Sequence, residues 1–369
     1  MAGIYIHIPF CKQKCTYCDF ASFPREIGKA EAYFACLLKE IDSRSVELKD
    51  MTFDTVYFGG GTPSYVNAEF IGATLNHLKK RFKITSDAEI TLEVNPGTLT
   101  YEKVQIYNLA GINRYSIGLQ SADDQRLKSL NRIHTAEEFL FACSLLKGKN
   151  LSADVMIGLK DQKTDEIKRT IDLAIKGGAK HISVYALTPE EGTPMFTTYL
   201  NGELPDADEV ADLYDFAYDY LAKMGFLRYE VSNFAYKGYE SKHNLNYWKR
   251  GEYIGFGVAA SSHIADRRFT NTEKLDEYIH CLLHDCYAEI FSEKIEGDDK
   301  TNEFIMLALR TEQGICLSDY KAVFGSDFLS DYSEQVALQR DYLDIGDNFV
   351  KIKPKHLYVQ NFIISDMLK

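Results

Sequence analysis

The first half of the chain alternates short apolar or β-branched runs with longer segments in which apolar residues recur every three or four positions. Runs of the first kind predict strands, and the longer periodic segments predict amphipathic helices. The predicted strands are residues 4–10, 55–58, 89–94, 114–119, 153–158 and 181–187. The helices predicted between them are residues 29–48, 67–82, 101–110, 135–147 and 165–176. The pattern therefore predicts an α/β fold, with a parallel sheet built from about six βα units.

The periodicity changes after about Pro205. A helix is predicted over residues 208–224, and it is followed by an aromatic-rich stretch and by charged helices from Glu273 onward. A small α+β unit is predicted from about Lys300, with a helix over 302–309 and a hairpin over 348–359. We therefore expect three parts, which are residues 1–205, an extension over residues 206–299 and a small C-terminal domain over residues 300–369.

Charge and composition narrow the classes of function. The chain has 42 Lys and Arg against 54 Asp and Glu, a net charge of −12, so a basic face for nucleic acid is not expected. It has no apolar run of the ~18 residues that cross a bilayer, and its start reads as a strand without the features of a signal peptide. We therefore expect a cytoplasmic protein. In that reducing compartment its eight cysteines are better interpreted as thiols or metal ligands than as disulfides.

Three cysteines, Cys11, Cys15 and Cys18, directly follow the first predicted strand. A short loop with this spacing can place three thiolates around one face of an iron–sulfur cluster, which normally has four such ligands. One iron would then stay open to another ligand. The alternatives are a structural zinc site, with His7 or Asp19 as fourth ligand, or simply buried thiols. Because zinc motifs usually pair two short ligand spacings and no second pair is evident, the pattern favours a 4Fe–4S cluster.

The C-x-x-x-C-x-x-C spacing of these cysteines, with Tyr17 before the last one, resembles the signature of the radical S-adenosylmethionine (SAM) superfamily. The resemblance implies that the amine and carboxylate of SAM occupy the open iron. It also implies that the reduced cluster splits SAM into methionine and a 5′-deoxyadenosyl radical, while the protein binds, orients and protects the reactants. The fold implied is a partial (β/α)6 barrel with a C-terminal α+β extension that resembles a winged helix.

A set of glycine and polar positions near the strand ends extends the resemblance. Glycines after the second predicted strand allow close approach of backbone to a ligand, and carboxylate, amide and guanidinium groups suit the hydroxyls, amine and carboxylate of SAM. Each polar residue alone is more often a surface or capping residue. Resemblance to the oxygen-independent coproporphyrinogen III oxidase family implies that the SAM site consists of Tyr5, Tyr17, Gly60, Gly61, Thr62, Glu93, Gln120, Arg132, Asp154 and Ala186.

The sequence departs from the oxidases of that family. Phe20 stands where they carry a fourth cysteine, and their N-terminal extension is not present ahead of the first predicted strand. Residues 243–248 instead resemble the H-N-x-x-Y-W motif of the HemW branch, which is associated with binding haem and passing it on. The resemblance implies a haem site at His243, Asn244, Tyr247 and Trp248, with the imidazole on the iron and the aromatic rings against the porphyrin. From the residues alone, a histidine in an aromatic stretch such as this one is more often a core residue or a hydrogen-bond donor than an iron ligand.

The leading hypothesis is therefore a radical SAM protein that binds a 4Fe–4S cluster and SAM and acts as a haem chaperone. The alternative is an oxygen-independent coproporphyrinogen III oxidase, which uses the deoxyadenosyl radical for oxidative decarboxylation of porphyrinogen propionates. The resemblance further implies haem as cargo, recipient haemoproteins that include membrane-bound ones, and hence peripheral association with a membrane. It also implies an electron donor for the cluster and a homodimer formed on haem loading. Catalytic residues are not assigned.

Overall fold

The computed structural model describes residues 2–369. Within this range twelve strands form one large sheet and three form a small C-terminal sheet. The strands of the large sheet are β1 (Ala2–Ile8), β2 (Thr52–Gly60), β3 (Lys83–Val94), β4 (Arg114–Gln120), β5 (Asn150–Ile157), β6 (His181–Ala186), β7 (Leu227–Arg228), β8 (Asn233–Ala235), β9 (Glu252–Phe256), β10 (Ser261–Ile264), β11 (Arg267–Asn271) and β12 (Glu289–Lys294). The small sheet contains β13 (Ile315–Cys316), β14 (Leu343–Ile345) and β15 (Phe349–Ile352).

Helices connect most of these strands. They are α1 (Ala30–Glu47), α2 (Ala68–Arg81), α3 (Tyr101–Ala110), α4 (Asp124–Ser129), α5 (Ala136–Leu145), α6 (Thr164–Lys176), α7 (Pro194–Leu200), α8 (Ala207–Lys223), α9 (Lys242–Trp248), α10 (Leu275–Leu283), α11 (Gly297–Ala308), α12 (Leu317–Phe324), α13 (Phe328–Asp331), α14 (Ser333–Leu338) and α15 (Gln360–Met367). Short 3₁₀ turns lie at Ile27–Lys29, Pro96–Thr98 and Pro354–Val359. Among residues 2–369, no helix combines the length and the apolar character needed to cross a membrane.

The large sheet has the strand order β12-β11-β10-β9-β1-β2-β3-β4-β5-β6-β8-β7. Strands β1 to β6 pair in parallel, and β9 joins the other side of β1, also in parallel. The outer strands on both sides pair antiparallel. Helices α1, α2, α3, α5 and α6 return the chain between successive parallel strands, as parallel pairing requires. This architecture confirms the predicted α/β fold class, a partial (β/α)6 barrel.

The two faces of the sheet differ in chemistry. On the outer face Ile4, Ile6 and Ile8 of β1 are fully buried, and they belong to the main hydrophobic core. On the inner face Tyr5 pairs with Tyr57 of β2, and their rings stack with centroids 6.2 Å apart. Because side chains alternate between the two faces along a strand, the apolar residues at every second position pack against the helices on the outer face. The polar and aromatic ones line the inside of the partial barrel, where binding groups are expected near the carboxyl ends of the strands.

Residues 297–369 have a hydrophobic core of their own, which includes Ile305, Tyr320, Phe328 and Val350. Ion pairs tie this C-terminal unit to the large sheet. Glu303 of α11 binds Arg250 at 2.6 Å, and Glu312 binds Arg228 at 2.6 Å. The unit therefore contains its own packed interior, and a backbone bridge between Glu230 and Thr311 joins it to the preceding segment in addition to the ion pairs. The predicted boundaries at residues 205 and 299 stay predictions, and the segment between them contributes β7 to β12 to the large sheet.

Two local predictions are wrong. The hairpin expected over residues 348–359 does not form, because β15 ends at Ile352 and a 3₁₀ turn starts at Pro354. Proline lacks the N–H that a returning strand needs, so β15 pairs instead with the preceding strand β14. Residues 289–294 lie in the region expected to form charged helices, but they form the edge strand β12. Its charged side chains are typical of an exposed sheet edge.

Candidate functional site

A cavity of about 420 Å³ lies at the carboxyl ends of the parallel strands. We call it the cysteine cavity. Its walls bring together all three predicted cluster ligands and nine of the ten predicted SAM residues: Cys11, Cys15, Cys18, Tyr17, Gly60, Gly61, Thr62, Glu93, Gln120, Arg132, Asp154 and Ala186. The remaining predicted residue, Tyr5, lines an adjoining cavity. Residues scattered over most of the barrel sequence therefore face one space, although their binding roles stay predictions.

The cysteine loop, residues 9–23, presents its thiols to this cavity. The loop is closed by a hydrogen bond from the Phe23 N–H to the Pro9 carbonyl, at 2.7 Å. Cys11 is buried and Cys15 and Cys18 are half-buried, and none of the three is in a disulfide. Burial raises the pKa of the Cys11 and Cys18 thiols. No three His, Cys, Asp or Glu side chains within residues 2–369 are arranged to hold a single metal ion.

Glycines make room beside Cys11. Gly60 has a φ of 108°, a conformation that favours glycine, and a Cβ there would lie 2.6 Å from the His7 ring. A Cβ on Gly61 would lie 3.0 Å from the backbone oxygens of Ile8 and Phe10 and 3.1 Å from the Cys11 sulfur. The Gly61 N–H donates to the Ile8 carbonyl at 2.8 Å, which fixes this loop against the end of β1. A side chain at Gly60 would collide with His7 of β1, and one at Gly61 would crowd the end of β1 and the cysteine loop.

Glu93 supplies a carboxylate near the end of β3. Its two oxygens accept hydrogen bonds from the Tyr57 hydroxyl at 2.8 Å and from the Gly60 N–H at 3.2 Å. Burial raises the pKa of Glu93 to about 7, the hydrogen bond from Tyr57 opposes that shift, and the negative charge of Asp154 adds to it. A carboxylate held in this way can accept a hydrogen bond from an amine or a hydroxyl group of a ligand.

Arg132, which is half-buried, supplies a positive charge to the wall of the cavity. Its Nη1 donates to the Cys15 sulfur at 3.6 Å, and its Nη2 donates to the Gly118 carbonyl at 2.8 Å. Its Nε is buried and, among the described residues, has no hydrogen-bond partner. An unpaired buried donor costs about 1–3 kcal/mol, which a ligand carboxylate would offset. The donors that surround the cavity therefore fit a three-cysteine cluster that carries an amino acid ligand.

The last residue of β4, Gln120, has a φ of 68°, in the left-handed region that side chains other than glycine rarely adopt. Such strained positions concentrate at functional sites. Asn95 was not among the predicted residues, but it lines the cavity and has a buried Oδ1 without a partner in the described part of the chain. Its position two residues after Glu93, at the end of the same strand, was the available signal.

The predicted haem residue His243 lies in a different place. It is 2% exposed, beneath the inner face of β1 and β2. Its Nδ1 is 2.8 Å from the Thr55 hydroxyl, its Nε2 is 3.0 Å from the Tyr247 hydroxyl, and its ring stacks on Tyr57 with centroids 5.0 Å apart. Burial, followed by the positive charge of Arg114, lowers the pKa of His243 to about 3. Iron binding by this imidazole would require it to give up one of two hydrogen bonds.

The other three predicted haem residues, Asn244, Tyr247 and Trp248, are half-buried on α9. The N-terminus of this helix is held by Glu89, whose oxygens accept the backbone N–H of His243 at 3.1 Å and that of Lys242 at 3.2 Å. Tyr247 lines the cavity that adjoins the cysteine cavity. The structure therefore does not gather the four predicted haem residues in the cysteine cavity, and Tyr247 is the one of them that reaches the neighbouring space.

Comparison with known proteins gives consistent matches. The Radical SAM superfamily model matches residues 5–174, and the HemN C-terminal domain model matches residues 295–359. "Heme chaperone HemW" of Escherichia coli strain K12 is 36% identical over 319 residues, which cover 84% of this chain and 82% of that protein. The protein of the same name from Haemophilus influenzae is 35% identical over 378 residues, covering 99% and 92%.

Among solved structures, coproporphyrinogen III oxidase (HemN) from E. coli, described as a radical SAM enzyme, matches with a TM-score of 0.87. The match covers 100% of this chain and 90% of that one at 20% sequence identity. At this identity the likeness establishes a shared fold and leaves the activity open. The curated relatives are named heme chaperones, and the solved structure shares the fold of this chain.

Proposed function

The chain belongs to the HemW family of the radical SAM superfamily, and from this premise we propose that it is a haem chaperone that carries a 4Fe–4S cluster and SAM. The observation that carries the proposal is the cysteine cavity, where three thiols outside any disulfide face the same space as Glu93 and Arg132. Relatives named heme chaperones cover most of this chain, and this supports haem delivery over porphyrinogen oxidation.

In this proposal Cys11, Cys15 and Cys18 hold the cluster as thiolates. When bound and reduced, such a cluster supplies the electron that cleaves SAM. Arg132 orients the carboxylate of SAM with its unpaired Nε, and Glu93 accepts hydrogen bonds from the amine or the ribose hydroxyls. The remaining predicted SAM residues complete the wall of the cavity.

Haem is the proposed cargo, and we assign its site to the region around α9, which carries His243, Asn244, Tyr247 and Trp248. Recipient haemoproteins, an electron donor for the cluster and a homodimer on haem loading complete the proposed partners. The cytoplasmic location and the association with a membrane-bound recipient stay predictions. Phe20, which lines the cysteine cavity, stands where the oxidases have a cysteine, and this difference argues against the oxidase alternative.

The test is anaerobic reconstitution of the whole chain with iron and sulfide, followed by parallel assays. We expect haem uptake, seen by absorbance, and transfer of haem to an apo-haemoprotein. We expect no repeated turnover of coproporphyrinogen III with SAM and a reductant. No haem uptake by the wild-type protein, or repeated oxidase turnover, would overturn the proposal. Zinc in place of iron and sulfide, found by elemental analysis, would overturn the cluster assignment.

A further inference from the structure

A second cavity, of about 630 Å³, lies beside the cysteine cavity. Three tyrosines form part of its wall: Tyr5 of β1, Tyr247 of α9 and Tyr253 of β9. We call it the tyrosine chamber. Its volume lies within the range of ~300–1,000 Å³ typical of small-molecule sites. Gly60 and Glu93 line both cavities, so an occupant of the chamber would be a neighbour of a ligand in the cysteine cavity.

The chamber has the chemistry of a site for a flat aromatic molecule. The rings of Tyr247 and Tyr253 meet edge to face, with centroids 4.6 Å apart and planes at 82°. Phe20 lines the chamber and is 62% exposed, which leaves an aromatic ring at its mouth. Rings of this kind offer large apolar contact area with a fixed geometry. Lys14 also lines the chamber, and its ammonium group can pair with a carboxylate substituent of the ligand.

His243 lies behind this wall. Because it is buried and both of its ring nitrogens are within hydrogen-bond distance of hydroxyl groups, it presents no free nitrogen to the chamber. The Thr55 hydroxyl can accept the proton of Nδ1, and this leaves Nε2 to accept a hydrogen bond from the Tyr247 hydroxyl. The imidazole therefore acts on the chamber through Tyr247, whose ring it holds in place.

We propose that the tyrosine chamber receives the haem, with Tyr5, Tyr247 and Tyr253 against the macrocycle, and that His243 is a positioning residue and not an iron ligand. The inference rests on the proposed function and adds to it the location of the cargo. It also places the cargo next to SAM, with Glu93 and Gly60 between the two sites. Lys14, which lines the chamber, would pair with a propionate of haem.

The first test fills the chamber without removing any of its tyrosines. Ser261 lines the chamber. Ser261→Phe should weaken haem binding by about tenfold, because the added phenyl ring would occupy part of the space that haem needs. Ser292→Phe is the matched control, since Ser292 is exposed on β12, away from both cavities, and should bind haem like wild type. Circular dichroism melting establishes that each variant is folded. If Ser261→Phe fails to fold, Tyr253→Leu, which removes one wall, should give a similar loss.

The second test separates a positioning residue from an iron ligand. His243→Gln keeps a group that can accept a hydrogen bond from Tyr247, so we expect a haem absorbance and electron paramagnetic resonance spectrum like that of wild type. His243→Ala should weaken binding without changing the type of spectrum. A change of iron ligation in both variants, reversed by added imidazole, would overturn the assignment of His243.

The outcomes of these tests distinguish this inference from the proposed function. If the wild-type protein binds no haem, the proposed function fails and the inference fails with it. If wild type binds haem and both Ser261→Phe and Tyr253→Leu bind it equally well while folded, the inference alone is overturned. Weaker binding in these two variants, with the control unchanged, is the supporting result.

Discussion

The cysteine loop and helix α9 each carry a family motif, but they use their polar groups in opposite ways. Around the cysteine loop the thiols face a cavity, and the Nε of Arg132 and the Oδ1 of Asn95 are buried without partners among the described residues. In α9 both ring nitrogens of His243 are within hydrogen-bond distance of hydroxyl groups, and Glu89 accepts the first N–H groups of the helix. Unpaired buried groups are costly, so the first arrangement indicates a ligand and the second indicates a structural support.

The difference shows how a sequence motif can serve a ligand without touching it. His243 packs its ring against Tyr57, and Tyr57 donates to Glu93 on the wall of the cysteine cavity. The same imidazole is bonded to Tyr247 on the wall of the tyrosine chamber. One buried side chain therefore supports residues of both cavities. Changes in the two motifs should consequently have different signatures, either loss of a ligand or loss of stability.

The largest effect is expected at the cysteine loop. Cys15→Ala should abolish the iron–sulfur cluster after anaerobic reconstitution, because two thiolates cannot replace the three ligands that the loop supplies. Iron and sulfide analysis with the visible absorption spectrum measures the loss. Cys286→Ala is the matched control, since Cys286 is exposed after α10 and should leave cluster content at the wild-type level. If the cluster still assembled in Cys15→Ala, the cysteine cavity would not be the cluster site, and the difference drawn between the cysteine loop and α9 would be wrong.

Loss of the acceptor at the start of α9 should act on stability. Glu89 is buried, accepts two backbone N–H groups and lies 3.9 Å from Arg114. Glu89→Ala leaves a buried guanidinium and the helix N-terminus without this partner, and should lower the unfolding free energy by about 3 kcal/mol. Urea denaturation of the metal-free protein measures the change. Glu137→Ala, in the exposed first turn of α5, should cost less than about 1 kcal/mol.

If Glu89→Ala and Glu137→Ala lowered the unfolding free energy by the same small amount, the structural role given to α9 would be contradicted. A loss of cluster content in folded Glu89→Ala would contradict it in another way, because the two motifs would then form a single site.

SAM affinity should depend on pH through Glu93. The pKa of this carboxyl is raised to about 7, so the charged form that best binds the positive groups of SAM is populated as the pH rises from 6 to 8. Wild-type affinity for SAM should rise over this interval. Glu93→Gln should remove the dependence and weaken binding at pH 8 by about tenfold. Calorimetric titration with SAM measures both effects, and Glu191→Gln, an exposed change, is the control.

A pH slope that persists in Glu93→Gln would assign the titration to another group.

The cysteine loop was predictable from sequence because its signal is local. Cys11, Cys15 and Cys18 stand in one short segment, and the strand ends that carry Glu93 and Gln120 follow from periodicity, since parallel strands end at one edge of the sheet. The predicted strands agree in place with β1 to β6, although β3 begins six residues earlier than expected, at Lys83. Local periodicity and spacing were therefore sufficient to predict where the cysteine loop and these strand ends lie.

The surroundings of α9 could not be predicted, because they depend on long-range pairing. Strand β9 joins the free side of β1, which places Tyr253 beside Gly3 in register and brings α9 under the inner face of the sheet. The partners of His243, Thr55 and Tyr247, then come from different elements. The i,i+4 spacing of His243 and Tyr247 allows their contact within a helix, but no spacing within residues 243–248 reveals the bond to Thr55 of β2. This is why the motif suggested an iron ligand and the structure shows a buried, fully bonded histidine.

The smallest effect is expected at Phe20, which lines both cavities and belongs to neither set of hydrogen bonds. Phe20→Cys restores the cysteine position of the oxidases. Cluster content should stay at the wild-type level, because the three existing thiolates already face the cavity. Haem binding should weaken only about threefold, the value of one exposed aromatic contact. Haem titration and coproporphyrinogen III turnover, measured on the same preparation, check both expectations. If Phe20→Cys produced repeated oxidase turnover, the identity of residue 20 would decide the function. The difference between the cysteine loop, with its unpaired polar groups, and α9, with its hydrogen-bonded histidine, would then not explain it.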